Sequence, residues 1–341
     1  MPSTTPPAES CRSARDWIKI LNGYRKPNAG QGVFELAATI VPFVLLWVLA
    51  WVALSFSFWL TLALAIPASG FLVRLFLIQH DCGHGSFFRR QATNNWIGRI
   101  IGVVTLTPYD VWRRSHAIHH ATTGNLDLRG MGDFHTLTVD EYQALSRYDR
   151  LIYRLYRHPL IFLGLGPSYV FLLQNRLPLG FMTAGWSYWL SAILTNVGIV
   201  GYAAIMILSV GFTPIIAVHL PIVILASTIG VWLFYIQHQF EDAHWERQAD
   251  WNVHDAGLQG SSYYQLPLIL QWLTANIGMH HVHHLCSRIP FYRVPDVVRV
   301  HPEISADVKC ITLLESLQYA RLQLWDERQK KLVSLKSLHQ E

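Results

Sequence analysis

Charge is scarce in this sequence of 341 residues, of which 14% are Asp, Glu, Lys or Arg and 51% are hydrophobic. In soluble domains about a quarter of the residues are charged, so this composition excludes an ordinary soluble protein. The net charge of +5 is not gathered into a basic run, which excludes a nucleic-acid-binding arm. A modest positive charge instead suits the surface of a bilayer beside anionic lipid.

Cysteines are also few, and sequence fingerprints of electron carriers are absent. The four cysteines have no CxxC or disulfide-like spacing, which is typical of reduced, small apolar residues; they are Cys11, Cys82, Cys286 and Cys310. The sequence contains no GxGxxG fingerprint, no cysteine set for an iron–sulfur cluster and no haem-domain motif. Any redox chemistry here therefore needs an external electron donor.

Long apolar runs are what the sequence has instead. Four of them are long enough to cross a bilayer; they cover residues 35–56, 58–79, 185–208 and 214–236. The short turns inside the two pairs carry no Lys or Arg, whereas the remaining segments carry nearly all of them. The positive-inside rule then places both termini, the segment 80–182 and the tail 237–341 in the cytoplasm. We expect one membrane domain over residues 1–341.

Three further expectations concern segments outside these spans or at their ends. Trp96–Leu106 and Leu160–Leu173 are too short to cross a membrane and indicate interfacial or re-entrant helices. Arg74, in the last turns of the second run, is expected to extend its side chain to the headgroups. The last thirty residues have the composition of an amphipathic surface helix.

Histidines form three clusters, all on the predicted cytoplasmic side. His116, His119 and His120 follow an i, i+3, i+4 pattern, and the same spacing returns in a later triplet. On a helix this spacing puts all three imidazoles on one face. The later triplet is His280, His283 and His284, and the third cluster is the pair His80 and His84.

Eight imidazoles that face one another would stay neutral and ready to bind metal. A structural zinc site uses four ligands and usually includes thiolates, so eight imidazoles are too many for one ion. Two ions fit the count, and redox-active iron suits a site with open positions for oxygen. A membrane metal carrier would hold its ligands near the bilayer midplane on broken helices, whereas these clusters lie outside the spans.

The clusters and their flanking segments resemble the membrane fatty acid desaturase family, closest to its bacterial and Δ12-like acyl-lipid branch. The resemblance rests on three histidine boxes, on the order of spans, and on further segments; these are His80–Phe87, His116–Asp127, Thr136–Tyr142, Gln237–Asp242, Asn276–Gly278 and His280–His284. It implies an all-α integral membrane protein with four transmembrane helices and a cytosolic helical cap that carries a histidine-rich di-iron centre.

The resemblance also implies a set of nine iron ligands, because the family has one more histidine just after the fourth span, where His238 stands. The full set is His80, His84, His116, His119, His120, His238, His280, His283 and His284. His281 is expected to point away from the ligand face, and His244 is a weak further candidate. The remaining histidines lie outside the boxes and are expected to be ordinary residues: His135, His158, His219, His254, His301 and His339.

Several carboxylates near the boxes have two possible roles. They can hold the far nitrogen of a ligating imidazole, or they can pair with arginines of the same region. These carboxylates are Asp81, Asp127, Asp133, Glu241 and Asp242. The arginines are Arg89, Arg90, Arg113, Arg114 and Arg129. Asn125 and Asn276 can support the imidazoles or cap helices.

The resemblance implies an oxidoreductase that uses O2 as co-substrate and introduces a cis double bond into a lipid- or carrier-linked acyl chain. The implied partners are the acyl lipid, membrane lipids, and a ferredoxin or small haem protein with its reductase, without nucleic acid. An acyl or alkane hydroxylase, a carotenoid hydroxylase or a ketolase of the same superfamily stays open as an alternative. A non-enzymatic metal carrier is the distant alternative.

Overall fold

The computed structural model describes residues 13–339; Cys11 and the side chain of His339 lie outside this description. Helices dominate the described residues. In chain order they are α1 (Ala14–Leu21), α2 (Ala29–Ala53), α3 (Phe58–His84), α4 (Gln91–Val104), α5 (Tyr109–Thr122), α6 (Val139–Ala144), α7 (Arg147–Tyr156), α8 (Gly166–Leu172), α9 (Trp186–Val210), α10 (Leu220–His238), α11 (Val253–Gln259), α12 (Leu268–Leu273), α13 (His280–Leu285), α14 (Val294–Val300) and α15 (Leu313–Tyr319).

Between residues 13 and 339 there are also five short strands, which the sequence did not predict. They are β1 (Leu137–Thr138), β2 (Tyr263–Gln265), β3 (Cys310–Thr312), β4 (Leu324–Asp326) and β5 (Lys331–Val333). One sheet has the order β1-β4-β5, with β1 and β4 parallel and β4 and β5 antiparallel. The other pairs β2 and β3 in parallel. Both sheets therefore connect segments that are far apart in the chain.

In the described part of the chain, four helices are long and apolar enough to cross a membrane: α2, α3, α9 and α10, the last extended at its start by a π-helical turn, Ile215–His219. This agrees with the four predicted spans. α2 begins at Ala29, before the predicted start, because Asn28 caps it by accepting hydrogen bonds from two backbone N–H groups. α3 continues beyond residue 79 to His84, so the first histidine pair lies on the spanning helix itself.

The two N-terminal spans form the closest helix pair. Aromatic side chains of α2, such as Phe43 and Trp47, are buried together with small residues of α3, such as Ala65 and Ala68. The small side chains let the two backbones approach, which is how helices associate in a bilayer without a hydrophobic driving force. In contrast, most of the surface of α9 remains open outward, as expected for a helix that faces lipid.

Arg74 does not reach the headgroups, so that expectation is wrong. Its side chain is 1% exposed, and its Nη2 atom lies 2.5 Å from the Glu35 carboxylate on α2. Its Nε atom donates to the Thr39 hydroxyl at 3.2 Å, and Nη1 donates to the backbone carbonyl of Trp272. Partners on the neighbouring elements satisfy the guanidinium inside the protein, which removes the reason for it to seek water.

The C-terminal tail is not an amphipathic surface helix, so that expectation is also wrong. Helix α15 ends at Tyr319, and β4 and β5 form a hairpin that pairs with β1. Trp325 and Leu332 face each other across this hairpin and are both buried. Burial in the second strand alternates with a period of two, which is the period of a strand and not of a helix.

The two short apolar stretches are helical, as predicted. The first corresponds to α4, whose Trp96 and Ile100 side chains are exposed. The second is a π-helical segment, Ile161–Leu165, followed directly by α8. Exposed apolar side chains on such short helices fit contact with a membrane surface.

Candidate metal centre

Four helices deliver the predicted ligands to one place. The end of α3 carries His80 and His84, and Gly85 ends this helix in the left-handed region with a φ of 68°. Helix α5 carries the first histidine triplet, and α13 carries the second. His238 is the last residue of α10. All nine histidines of the set implied by the family resemblance therefore meet at the point where the spans enter the cap.

The nine imidazoles divide into two groups, in each of which the candidate ligand atoms all lie within 4.8 Å of one another. Group one contains His80, His84, His116, His120 and His283. Group two contains His119, His238, His280 and His284. The groups adjoin, since the rings of His120 and His284 stack with centroids 4.2 Å apart. This division was not readable from the sequence.

The Nε2 atoms point inward and lie at the spacing of a coordination sphere. In group one, the Nε2 atom of His116 is 3.0 Å from that of His84 and 3.1 Å from that of His120. In group two, the Nε2 atom of His280 is 3.0 Å from those of His238 and His284. Adjacent corners of an octahedron with metal–nitrogen bonds of about 2.1 Å are about 3.0 Å apart. The donor set therefore fits a metal ion in each group.

Hydrogen bonds to the outer ring nitrogens fix several of these imidazoles. His238 donates through Nδ1 to the Gly260 carbonyl at 3.1 Å, and His119 Nδ1 pairs with Asp133. The Nδ1 atom of His80 is 3.4 Å from Asp81, whose carboxylate accepts a 2.7 Å bond from the backbone N–H of Phe291. An imidazole whose Nδ1 carries the proton presents Nε2 as a lone pair. Consistent with this, the buried Nε2 atom of His119 has no hydrogen-bond partner within residues 13–339.

Burial favours the neutral form of five ligands in the cap. Burial is the main cause, and the neighbouring imidazoles are the second cause, of pKa values well below the ordinary value in five ligands: His116, His120, His280, His283 and His284. A protonated ring here would lose its solvation and face several others at close range. The rings therefore keep free lone pairs, which is the protonation state that metal binding requires.

His281 lies outside both groups, as predicted, and its Nε2 atom contacts the Ser305 hydroxyl at 3.0 Å. His244 is not a member either, and the same holds for the other non-box histidines whose side chains are described; these are His135, His158, His219, His254 and His301.

The five carboxylates divide between the two roles. Asp81 and Asp133 contact imidazoles. The other three form ion pairs, although not with the expected arginines: Asp127 with Arg247, Glu241 with Lys331, and Asp242 with Lys309. Asn125 and Asn276 bind backbone and amide groups of loops and do not contact the imidazoles.

Sequence reasoning missed Trp112, which covers one face of the site. Its indole stacks on the His116 ring, with centroids 4.7 Å apart and planes 14° from parallel. A signal was available, because Trp112 precedes His116 by four residues and therefore shares its helix face. The Gly260 carbonyl was also missed, and its contact with His238 had no signal in the sequence.

An apolar cavity of about 250 Å³ leads to the histidines from between the spans. Its walls come mainly from α3 and α10, with further residues from α5 and α8, and Leu72 and Val223 lie far along the two spanning helices from the histidines. Imidazoles of both groups line it: His80 and His116 from group one, and His280 from group two. A long, unbranched apolar molecule in this cavity would lie against both groups at once.

Comparison with known proteins agrees with this arrangement. The family model described as fatty acid desaturase matches residues 57–311. A fatty acid desaturase of Bacillus subtilis is 46% identical over 320 residues, which cover 94% of this chain and 90% of the relative. An sn-1 acyl-lipid omega-3 desaturase (ferredoxin) of Synechocystis is 30% identical over 64% of this chain and 61% of its own length.

An sn-1 oleoyl-lipid 12-desaturase of Arthrospira platensis is 22% identical over 81% of this chain and 78% of its own length. The family match includes the four histidine-bearing helix ends, and the Bacillus relative aligns over nearly the whole chain. The chain therefore belongs to the fatty acid desaturase family and is an oxidoreductase, a fatty acyl desaturase with a histidine-rich metal centre.

Proposed function

We propose that each histidine group holds one non-haem iron, with five ligands in group one and four in group two. The proposal is supported by the 3.0–3.1 Å spacing of the inward nitrogens and by the unpartnered Nε2 atom of His119. An all-nitrogen set with open positions suits iron more than a closed zinc site. When bound, two irons supply the electron storage needed to reduce O2 and oxidise a C–H bond.

The acyl chain is bound by the apolar cavity. Phe76, Leu77 and Phe234 form part of its wall close to the histidines, and the hydrocarbon excludes water from the reacting region. The single observation that carries this proposal is that imidazoles of both groups line the same cavity. Two adjacent methylenes held there face the whole centre, which is the geometry that removal of hydrogen from neighbouring carbons requires.

The reaction converts a –CH2–CH2– unit and O2 into a cis –CH=CH– unit and two molecules of water. The substrate gives up two hydrogen atoms, which supply two electrons and two protons. Reduction of O2 to two waters takes four of each, so an external donor supplies two electrons and solvent supplies two protons. His238 and His119 keep their positions through this exchange, because their outer nitrogens are held by protein groups.

A ferredoxin is the donor we propose, and a lipid-linked acyl chain is the substrate. The relative from Synechocystis is named as an acyl-lipid desaturase with ferredoxin, and so is one from Nostoc. This chain also has a net charge of +5, which suits an acidic donor that arrives by electrostatic steering.

We further infer a single domain in the cytoplasmic membrane, with the centre and both termini on the cytoplasmic side, from the distribution of Lys and Arg.

Expression of the full chain with a ferredoxin and its reductase, in a bacterial host that lacks desaturases, tests the proposal. Methyl esters prepared from the membrane lipids should contain new cis-unsaturated chains, and purified protein should hold close to two irons. The matched control is His281→Ala, since this residue lies between two predicted ligands but outside both groups. Hydroxylated acyl chains without a new double bond would contradict the reaction, and repeated turnover of the pure chain with NADPH alone would contradict the external donor.

A further inference from the structure

Helix α12 is a short apolar helix that follows the fourth span and was not recognised as a membrane element in the sequence. Its residues Leu268 and Ile269 are 85% and 79% exposed, which is unusual for large aliphatic side chains. Leu270 and Trp272 are exposed as well. A continuous apolar surface of this kind marks an interaction site with protein or lipid.

The inner side of α12 packs on the middle of a spanning helix. A Cβ atom at Gly70 of α3 would come within 2.4 Å of the Leu273 side chain, so glycine is what allows this close approach. One residue further along α3, the ring of Phe71 contacts Trp272 edge to face at a centroid distance of 6.0 Å. The position of α12 along the bilayer normal is therefore fixed by where these residues of α3 lie.

That position is inside the hydrocarbon layer. α3 starts at Phe58, after the uncharged turn, and Gly70 follows twelve residues later, which is about 18 Å along the helix. Because the hydrocarbon is about 30 Å thick, Gly70 lies about 12 Å from its opposite boundary. The six helical residues of α12 extend about 9 Å, and Leu266–Pro267 precede them, so the chain can descend from β2 in the cap to this depth.

The end of α12 has a partner for its backbone at that depth. The last carbonyls of a helix lack intrahelical donors, and in hydrocarbon an unsatisfied carbonyl costs several kcal/mol. The turn after α12 supplies part of this, since the Ala275 N–H donates to the Trp272 carbonyl at 2.9 Å. Arg74 adds a second donor to the same carbonyl through Nη1, and its guanidinium carbon lies 4.0 Å from the centroid of the Trp272 ring. Glu35 balances the charge from α2. The arginine thus reinforces a helix end that the following turn also caps.

The chain then turns back toward the metal centre. Ala275 and Asn276 have positive φ values of 47° and 56°, and the Asn276 N–H returns to the Gln271 carbonyl. Ile277, on the returning segment, lines the apolar cavity, and α13 begins at His280. Segment 266–279 is thus open to its surroundings on one side and borders the substrate cavity on the other.

We propose that segment 266–279 is a re-entrant hairpin that inserts α12 into the hydrocarbon of the bilayer beside α3, with Arg74 as the cap of its deep end. The occupant of the exposed apolar face is lipid acyl chain. Lipid is favoured over a protein partner because α12 packs on the spanning helix α3, whose own exposed residues, such as Ile66, face the hydrocarbon. The proposal does not depend on which reaction the centre performs.

Site-directed spin labelling of the full chain in lipid nanodiscs tests it. The background carries Cys11→Ser and Cys310→Ser, while Cys82 and Cys286 are buried and stay unlabelled. A nitroxide at Ile269→Cys is compared with one at Leu45→Cys, on the lipid-facing side of α2, and with one at Gln329→Cys, in an exposed turn of the cap. We expect Ile269 to match Leu45, with high collision rates for O2 and low rates for a water-soluble nickel chelate.

Rates at Ile269 that match those at Gln329 would place α12 in water and overturn the proposal. Protection from both reagents would also overturn it, because it would mean that a second copy or another protein covers the face. To test the role of Arg74 at the end of α12, Arg74→Met is combined with Glu35→Gln, so that no unpaired charge remains in the membrane. We expect access of the nickel chelate to Ile269 to rise at least threefold in this double variant; unchanged access would overturn the role of Arg74.

Discussion

Asp133 accepts a hydrogen bond from Nδ1 of His119, and the opposite nitrogen of the same ring faces the other members of group two with no hydrogen-bond partner among the described residues. The carboxylate thereby fixes the orientation of the ring and favours the tautomer in which Nε2 is a lone pair. This residue lies in the loop after α5, fourteen positions beyond His119. The centre therefore depends on a residue outside all three histidine boxes.

Replacing Asp133 with Asn keeps the shape of the side chain and removes its charge. We expect Asp133→Asn to weaken iron retention by a factor of about 10–100, which is the usual cost of losing such a partner. Iron per chain after timed chelator treatment measures it. The control is Asp127→Asn, which affects an exposed ion pair with Arg247 and a bond from the Gln248 N–H but no imidazole; equal iron loss in both variants would contradict a specific role for Asp133.

Removal of one ligand should affect one group more than the other. His84→Ala opens group one and His284→Ala opens group two, so we expect each to lower iron from about two per chain to about one and to abolish turnover. His281→Ala should keep both irons and most of the activity, with a loss of about 1 kcal/mol of stability from its bond to Ser305. Retention of two irons in both ligand variants would remove those residues from the ligand set.

The depth of the cavity should limit the length of the acyl chain. Ala226 lines the cavity on α10, twelve residues and therefore about 18 Å before His238. In Ala226→Phe, an added ring fills the deep end, and we expect conversion of long chains to fall at least tenfold relative to shorter ones. Ala204→Phe, on the exposed side of α9, is the matched control. A uniform loss across all chain lengths would point to misfolding.

The buried pair of Arg74 and Glu35 should respond asymmetrically to single and double substitution. Glu35→Gln leaves an uncompensated guanidinium inside the membrane domain, and breaking a buried pair this way costs about 3–5 kcal/mol. In Glu35→Gln combined with Arg74→Met both charges are gone, so we expect recovery of part of this loss. Thermal unfolding in detergent provides the comparison. If the double variant were as unstable as the sum of the single variants, the two residues would not be coupled.

The two uncharged turns predict the orientation in the membrane. Reporter fusions at residues 56 and 211 should signal from the outer side, and fusions at residues 130 and 341 from the cytoplasm. The turns contain no Lys or Arg to hold them inside. A cytoplasmic signal at residue 211 would contradict the four-span arrangement.

What the sequence could predict was periodic or repeated. The apolar runs gave the spans, and the i, i+3, i+4 spacing placed three histidines of each triplet on one helix face. The family resemblance supplied His238, which stands alone at the end of α10. The division into groups of five and four was not predictable, because His283 joins group one while its neighbours His280 and His284 join group two. Such a division depends on how helices cross, and not on spacing within one helix.

Arg74 and the tail were read incorrectly for the same reason. A lone arginine near a helix end and a polar, leucine-rich terminus each have a plausible local interpretation. Their actual partners, Glu35 on α2 and Leu137–Thr138 of β1, are far away in the chain. Local pattern carries no information about such partners, and in both cases tertiary contacts decided the outcome.

The late position of α13 in the chain sets the order in which this enzyme can be made. Both histidine groups include a residue of α13. In the same way, β1 cannot pair until β4 has been synthesised about 190 residues later, which takes roughly 10–40 s at ordinary elongation rates of about 5–20 residues per second. Until α13 has been synthesised, the imidazoles of α3 and α5 have no complete set of neighbouring ligands. The complete set of metal ligands therefore exists only in a nearly finished protein.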